Sequence, residues 1–449
     1  MKDSISATVL SLFQVDALAI IMISLVGFVS INVSLFSLKY LKGDRAQKLF
    51  FNRLFLLIPS VFIMVTADHL LLFFAAWAIS NYLLTRLMIH KSEWKAAKES
   101  GNLALKNFIL GMFFLAASFI GLYAQTGSAS IHTIIQQSIS GTSLLLVLSL
   151  LFLAAMTQSA IWPFHKWLTS SLNSPTPVSA LMHAGLVNGG GFLLARFALL
   201  FTKAPMSLQF IFFTGLITAI VGTLWKLMQN DVKRMLASST MGQMGFMMVQ
   251  CGLGLFPAAI AHLCWHGLFK AYLFLSSGSA AQEKRLDLNY PPSIGTFILS
   301  LVCGAAGAYG FALISHKSFA VLDTTLFLTG IAFLGAAQLA IPLLKPSPLK
   351  KLPIALISAV FAGAAYGSSV YGIEKLLEPL HIWNPQPLGL LHIIGFLILT
   401  GSWLFVLFGK RKENTQNIPA WMKKGYVSML NASQPHPTTI TAHHNHYQY

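Results

Sequence analysis

Long apolar stretches of about 20 residues follow one another along this 449-residue chain, and a helix of that length crosses the hydrocarbon core of a bilayer. Hydrophobic residues make up 55% of the chain and charged residues only 10%, whereas soluble domains carry about 25% charged residues. So few charges cannot cover so much apolar surface in water. The sequence therefore predicts an all-α polytopic membrane protein.

Thirteen stretches fit this length, while the short polar segment 130–140 is expected at the outer surface. The predicted helices lie near residues 15–39, 50–67, 68–90, 103–124, 142–162, 176–201, 207–228, 235–253, 256–281, 292–316, 323–345, 351–373 and 387–409.

The distribution of basic residues tests this map, because Lys and Arg gather in cytoplasmic loops. Placing the N-terminus outside puts 24 of the 30 Lys and Arg residues on the cytoplasmic side. Contact of these loops with anionic membrane lipids accounts for the formal net charge of +17 without a nucleic-acid partner. We therefore expect the N-terminus outside and the C-terminus in the cytoplasm.

Two features interrupt the apolar pattern. Pro163 follows a long apolar run and removes a helical hydrogen bond, which indicates a broken helix. From residue 410 the chain becomes polar. Around Trp421 it has the composition of an interfacial helix, and its last residues are typical of an extended peptide that docks on another surface.

Ionisable residues at membrane depth carry the functional hypothesis, because a charge inside a bilayer is costly. His262, His266 and Lys270 are spaced i, i+4, i+8, which puts them on one helix face. Bridged by water, such groups suit a proton relay, and the alternative is a set of structural hydrogen bonds between helices. The other candidate relay groups are His165, His183 and Lys317.

Motifs of soluble enzymes are absent from the sequence: it has no P-loop, no dinucleotide-binding glycine motif and no nucleophile elbow. The three cysteines lie far apart and indicate no disulfide or zinc site. The terminal residues His443, His444 and His446 have no Cys or acidic neighbour, which favours surface contacts over metal binding. We expect no catalytic residue, metal or cofactor in this chain, and hence not an enzyme by itself.

Several motifs resemble the antiporter-like membrane subunits of respiratory complex I and of Mrp cation antiporters. They are residues 13–18 (FQVDAL), 67–72 (ADHLLL), 162–168 (WPFHKWL), 174–184 (SPTPVSALMHA), 231–240 (DVKRMLASST) and 262–275. The resemblance implies two inverted five-helix repeats with broken helices, at residues 50–201 and 207–345. Around the repeats lie a first helix with a basic loop (1–49), two C-terminal helices (351–409) and a cytoplasmic tail (410–449).

The same resemblance assigns roles to three groups of residues. Pro163, Pro175 and Pro177 are expected at the hinges of the broken helix. The loop charges Asp231, Lys233 and Arg234 are expected to hold helices or lipid headgroups in place. Two family positions are lost: Ala78 stands where the family has a Glu, and Gln158 where it has a Lys, so the first half lacks its usual charge pair.

Residues 170–175 (SSLNSP), 183–192 (HAGLVNGGGF) and 431–437 (NASQPHP) resemble the membrane subunits of DAB inorganic-carbon pumps. That resemblance implies a bacterial inner-membrane protein that passes H+, or else Na+, and so powers CO2 hydration to bicarbonate by a cytoplasmic, zinc-containing, DabA-like partner. Any zinc belongs to the partner. The residues expected to dock it are Trp421, His436, His443, His444, His446 and Tyr449.

Two other functions stay open on the sequence alone. One is an antiporter-like subunit of a respiratory NADH dehydrogenase or of an Mrp-type Na+/H+ antiporter. The other is a non-conducting membrane anchor, because Ala78 and Gln158 replace the expected charge pair.

Overall fold

The computed structural model of the chain describes residues 11–281, 291–345, 347–409 and 419–440, and this part of the chain is mostly α-helical. The helices are α1 Ala17–Tyr40, α2 Gln47–Thr66, α3 Leu70–Met88, α4 Lys95–Thr126, α5 Ile131–Gln136, α6 Thr142–Gln158, α7 Lys166–Thr169, α8 Thr176–Ala184, α9 Gly189–Arg196, α10 Ala198–Thr202, α11 Pro205–Leu227, α12 Val232–Gly252, α13 Phe256–Leu275, α14 Ile294–Ser315, α15 Thr325–Leu344, α16 Pro348–Leu377, α17 Leu390–Phe408 and α18 Ala420–Ser433.

Within the described residues, 11 helical stretches are long and apolar enough to cross a membrane. The polytopic all-α fold is therefore confirmed. Two of the thirteen predicted spans fall outside this group: α6 is apolar but has only 17 residues, and α12 is more polar along its length. The total of thirteen stays a prediction.

The chain forms two compact units. The first comprises residues 1–249, 262–281 and 425–449, and the second comprises residues 250–261 and 282–424. In the second unit, α14 and α16 pack closely because Gly363 has no Cβ. A Cβ at that position would collide with the backbone carbonyl of Gly307. Close backbone approach through small residues is the usual way in which membrane helices associate.

The helix predicted for residues 142–162 ends early, at Gln158. Ala160 has a positive φ of 52°, Pro163 lies in the break, and the short α7 begins at Lys166. Pro175 and Pro177 are placed differently from Pro163. Pro175 is the N-cap of α8 and Pro177 lies in its first turn, where the missing N–H of a proline costs little.

The predicted helix 176–201 is interrupted as well. The helix α8 ends at Ala184, a 3₁₀ turn follows over Leu186–Asn188, and α9 begins at Gly189. Because the carbonyls of a last helical turn lack partners inside the helix, other groups must bind them. The Asn188 side chain donates Nδ2–H to the Ala184 carbonyl at 2.9 Å. The break therefore places carbonyl oxygens that the helix itself does not use in the interior of the first unit, where side chains bind them.

Asp68 fixes the polar segment that was expected outside the bilayer. Its carboxylate accepts the Ser130 hydroxyl and the backbone N–H of His132, each at 2.7 Å. Ser130 also caps α5 by accepting the N–H of Thr133. The acidic residue of the ADHLLL motif therefore has a structural role in the first unit.

Candidate cation-transfer site

Two helices bring four of the expected relay groups together in the first unit. His183 comes from α8, whereas His262, His266 and Lys270 come from one face of α13. The helices approach closely because α13 has Gly267 at the contact, where a Cβ would meet the Ala184 carbonyl oxygen at 2.7 Å. His183 and Lys270 are each only 1% exposed, and His266 is 5% exposed.

The break after α8 supplies the first link between these groups. Nε2 of His266 lies 3.2 Å from the backbone carbonyl oxygen of His183. A carbonyl only accepts, so this nitrogen of His266 carries its hydrogen and donates it. An uninterrupted helix would use that carbonyl for its own ladder.

Thr240 of α12 supplies the second link. Its hydroxyl lies 3.0 Å from Nδ1 of His183 and donates to the Leu236 carbonyl at 3.0 Å. Because the hydroxyl hydrogen is used on Leu236, Nδ1 of His183 is the donor toward Thr240. The same Leu236 carbonyl accepts a hydrogen bond from Nζ of Lys270 at 3.1 Å. The connected series is His266, His183, Thr240, the Leu236 carbonyl and Lys270.

His262 extends this series toward the start of α13. Its ring packs on Phe246 with centroids 5.3 Å apart and stacks with His266 at 6.1 Å. Its Nε2 is buried and makes no hydrogen bond to any of the described residues. A buried polar atom of this kind is normally satisfied by water, which makes His262 a suitable point for proton exchange.

No carboxylate forms an ion pair with Lys270 among the described residues. Burying an ammonium without an opposite charge is strongly unfavourable. The site therefore resists a resident positive charge.

His165 does not join this series. It is buried in the break between α6 and α7, where its ring packs on Trp225 with centroids 4.8 Å apart. No hydrogen bond or ring contact connects it with His183, His266 or Lys270 in the described part of the chain. Its role in a relay stays a prediction.

Lys317 lies in the second unit, directly after α14 and after His316, whose φ is +53°. Its Nζ forms an ion pair with Glu374 at 2.7 Å and lies 3.8 Å from the centre of the Trp383 ring. The side chains of Lys317 and Glu374 are 11% and 21% exposed. The acidic partner of Lys317 is thus supplied by α16.

A cavity in the first unit contains one of the lost family positions. Gln158 lines it and donates Nε2–H to the Leu186 carbonyl at 3.2 Å, and Trp77, the residue before Ala78, lines it too. Most of the wall is apolar, and none of the lining residues is ionisable. The Ser30 hydroxyl in this wall has no hydrogen-bond partner within the described residues.

The predicted loop charges contact backbone and side-chain groups of the first unit. Asp231 accepts the backbone N–H of Arg234 at 2.9 Å at the start of α12. Arg234 donates Nη1–H to the side-chain oxygen of Gln434 at 3.0 Å. Lys233 is half-buried. Asp231 and Arg234 thus hold a helix start and a tail segment.

The residues expected to dock a partner have different surroundings. Trp421 is 73% exposed, whereas His436 donates its backbone N–H to the Ser170 hydroxyl at 2.8 Å and bonds through Nδ1 to Thr438. His443, His444, His446 and Tyr449 lie outside the described residues. Within the described part of the chain, no group of three His, Cys, Asp or Glu side chains is arranged to hold a metal.

Two residues that belong to the geometry were not predicted. Thr240 is the last residue of the DVKRMLASST motif. Its membership of that motif was the only signal in the sequence, because its contact with His183 depends on how the helices pack. Glu374 is one of only 13 acidic residues and lies at the end of a long apolar run. A charge at the edge of a membrane span is costly to bury, so this position was the available signal.

Comparison with known proteins gives consistent results. Residues 67–300 match the transmembrane family described as NADH:quinone oxidoreductase/Mrp antiporter, and residues 5–51 match the N-terminal family of complex I chain 5. The chain is 37% identical over 294 residues to the probable inorganic carbon transporter subunit DabB1 of Halothiobacillus neapolitanus, covering 64% of this chain and 53% of the relative. It is 32% identical over 350 residues to NADH-quinone oxidoreductase subunit L of Campylobacter jejuni, covering 71% and 58%.

The Mrp complex structure from Dietzia sp. shares the fold, with a TM-score of 0.57 at 20% identity, covering 93% of this chain and 48% of that one. The chain spans a little more than half the length of these two curated relatives. Since the family match covers more than half of the chain, this protein belongs to the NADH:quinone oxidoreductase/Mrp antiporter transmembrane family.

Proposed function

We propose that this chain is the H+-translocating membrane subunit of a two-component inorganic-carbon uptake complex. The observation that carries the proposal is the buried series of His266, His183, Thr240, the Leu236 carbonyl and Lys270. Three side chains of the series, His183, His266 and Lys270, can bind and release a proton, and the two backbone carbonyl oxygens hold them close together. The similarity to DabB proteins supports the inorganic-carbon class of substrate.

The chemistry of the site favours H+ over Na+. Hard metal cations are held by several carboxylate, carbonyl or water oxygens. The series offers two imidazoles, a hydroxyl, an amine and two backbone carbonyl oxygens, and among the described residues no acidic side chain pairs with Lys270. An imidazole can bind a proton at one nitrogen and release one from the other, which suits repeated loading and unloading of a proton.

The proposed partner is a DabA-like cytoplasmic zinc protein that hydrates CO2, docked on the C-terminal tail. Energy would pass from the proton flow in this chain to the reaction in the partner. We place the complex in the bacterial inner membrane with the C-terminus in the cytoplasm, in keeping with the distribution of basic residues.

The main experiment uses the full chain, with and without the co-purified partner, in liposomes that contain a pH-sensitive dye. A potassium gradient with valinomycin drives the ion. We expect acidification that persists when choline replaces Na+, and its loss in Lys270→Met. The matched control is Lys91→Met, because Lys91 is exposed outside the site. Wild-type flux in Lys270→Met would exclude the proposed route.

Two rival functions give different results in the same design. An antiporter subunit, which the similarity to subunit L favours, requires Na+ on the opposite side for dye acidification. A non-conducting anchor gives no flux in any variant. Mass spectrometry of the co-purified proteins separates the carbon-uptake complex from the respiratory one, and growth in air of cells lacking carbonic anhydrase tests the need for both subunits.

A further inference from the structure

The helix α18, Ala420–Ser433, lies outside the predicted spans and yet exposes large apolar side chains. Trp421 is 73% exposed, Tyr426 is 54% exposed, and Met422 is 43% exposed. At about 100° per residue, these side chains lie in one half of the helix together with the half-buried Met429 and Leu430. Lys424, Ser428 and Asn431 lie in the opposite half, together with Val427, which is 51% exposed.

The charge of α18 has one sign only. The helix contains Lys423 and Lys424 and no acidic residue. Aromatic residues beside lysines are typical of helices that lie in the headgroup region of a bilayer. Such helices bind through buried apolar area together with attraction to anionic lipids.

The segment after this helix, residues 433–439, is called the C-terminal strap here. It is held by side chains that lie just beyond apolar spans of the first unit. Gln229 follows the end of α11 by two residues and donates to the Ser433 hydroxyl at 2.8 Å. Since a span of this length ends at the membrane surface, this bond fixes the last residue of α18 at that depth.

Lys166 and Asn173 extend the attachment. Nζ of Lys166 donates to the Ala432 carbonyl at 2.8 Å and to the Gln434 carbonyl at 3.0 Å. Asn173 donates Nδ2–H to the Thr439 carbonyl at 2.9 Å. Burial lowers the pKa of Lys166 below its usual value. The strap is therefore attached at both ends to the segment that follows the broken helix.

We propose that α18 lies flat in the headgroup region of the bilayer, with Trp421, Met422 and Tyr426 among the upper acyl carbons and Lys423 and Lys424 on anionic headgroups. The attachment of the strap supports lipid as the binding partner of this face. Gln229 binds Ser433 two residues after α11 ends, so the end of α18 lies where that span leaves the membrane. This assigns Trp421 to lipid in place of the partner-docking role suggested by the sequence, and it does not depend on the transported ion.

The experiment compares the full chain with its Trp421→Phe variant in nanodiscs of phosphatidylcholine with 0, 20 or 40% phosphatidylglycerol. Tryptophan fluorescence is quenched either by lipid with a doxyl group at carbon 5 or by aqueous iodide. The difference between the two proteins isolates Trp421 from the other eight tryptophans. We expect this difference signal to be quenched by the doxyl lipid, to resist iodide, and to become more lipid-quenched as phosphatidylglycerol increases.

Two further variants complete the test. Lys423→Gln combined with Lys424→Gln is expected to abolish the dependence on phosphatidylglycerol while leaving Trp421 fluorescence itself unchanged. Trp265→Phe is the control, because Trp265 is exposed on the spanning helix α13 and its signal must not depend on anionic lipid. A Trp421 signal that iodide quenches and doxyl lipid does not would overturn the proposal. Shielding from both quenchers only when a partner protein is bound would assign the face to that protein instead.

Discussion

The imidazole of His266 and the backbone carbonyl of His183 lie 3.2 Å apart, which ties α13 to the broken end of α8. The carbonyl is available because α8 stops one residue later, at Ala184. An interruption of one helix thus becomes a hydrogen-bond acceptor for the next.

Thr240→Val is expected to reduce proton flux about fivefold, since a buried hydrogen-bond link contributes about 1 kcal/mol and 1.4 kcal/mol corresponds to a factor of ten. The change keeps the side-chain shape but removes the hydroxyl between His183 and the Leu236 carbonyl. Dye-loaded liposomes measure the flux. Thr240→Ser keeps the hydroxyl and is the control that must retain it, while equal rates in Val and wild type would remove Thr240 from the route.

Lys270→Met is expected to leave thermal stability unchanged or to raise it, even though it stops transport. Replacing a buried, unpaired ammonium by an apolar chain of similar length removes a desolvation cost. The measurement is the Tm of the detergent-solubilised protein. A clear fall in Tm would show that the bond to the Leu236 carbonyl stabilises the fold by more than burial costs.

Glu374→Gln is expected to destabilise the protein by about 1–3 kcal/mol, because it leaves Lys317 half-buried without its counter-charge. A double-mutant cycle with Lys317→Met isolates the coupling between the two residues. The matched control is Glu378→Gln, which breaks the exposed Lys375–Glu378 pair and should have no measurable effect. If the effects of Glu374→Gln and Lys317→Met on the free energy of unfolding were additive, the pairing of the two residues would be contradicted.

Asp44→Asn is expected to lower stability more at pH 7 than at pH 3. Burial acts to raise the pKa of Asp44, yet the Ala46 N–H, His90 and Lys91 together lower it below 3.8. A carboxyl with a lowered folded pKa stabilises the protein above its unfolded pKa, and this contribution is lost as the pH falls through the folded pKa. Melting curves of both proteins at the two pH values test this. An equal difference at both values would contradict it.

Lys166→Met is expected to release the C-terminal strap. Its Nζ binds the carbonyl oxygen of Ala432, directly before the strap, and that of Gln434, within it. Hydrogen–deuterium exchange of residues 433–439 measures the effect. We expect faster exchange there and unchanged exchange in α14, which belongs to the second unit. Lys203→Met, which removes another lysine bound to carbonyls, serves as the control and should leave the strap protected.

The sequence was sufficient for elements that depend on local patterns. Apolar runs marked the spans, and the spacing of His262, His266 and Lys270 placed them on one helix face, as the structure has them. The break at Gly185 was not predicted, because the run 176–201 is long and mostly apolar and the interruption is stabilised by distant groups such as His266. Glu374 was missed for the same reason: it reaches Lys317 across 57 residues of chain.

The uncharged wall around Gln158 has an energetic consequence. Under the proposed function, ionisable groups lie in the series around Lys270 and none lies in that cavity, which leaves one proposed proton route rather than two among the described residues of the first unit. At a membrane potential of about 150 mV, each proton delivers about 3.5 kcal/mol. At one proton per turnover, this energy sustains a concentration ratio of accumulated product of about 300-fold, since each tenfold step takes about 1.4 kcal/mol. A second route would square that ratio.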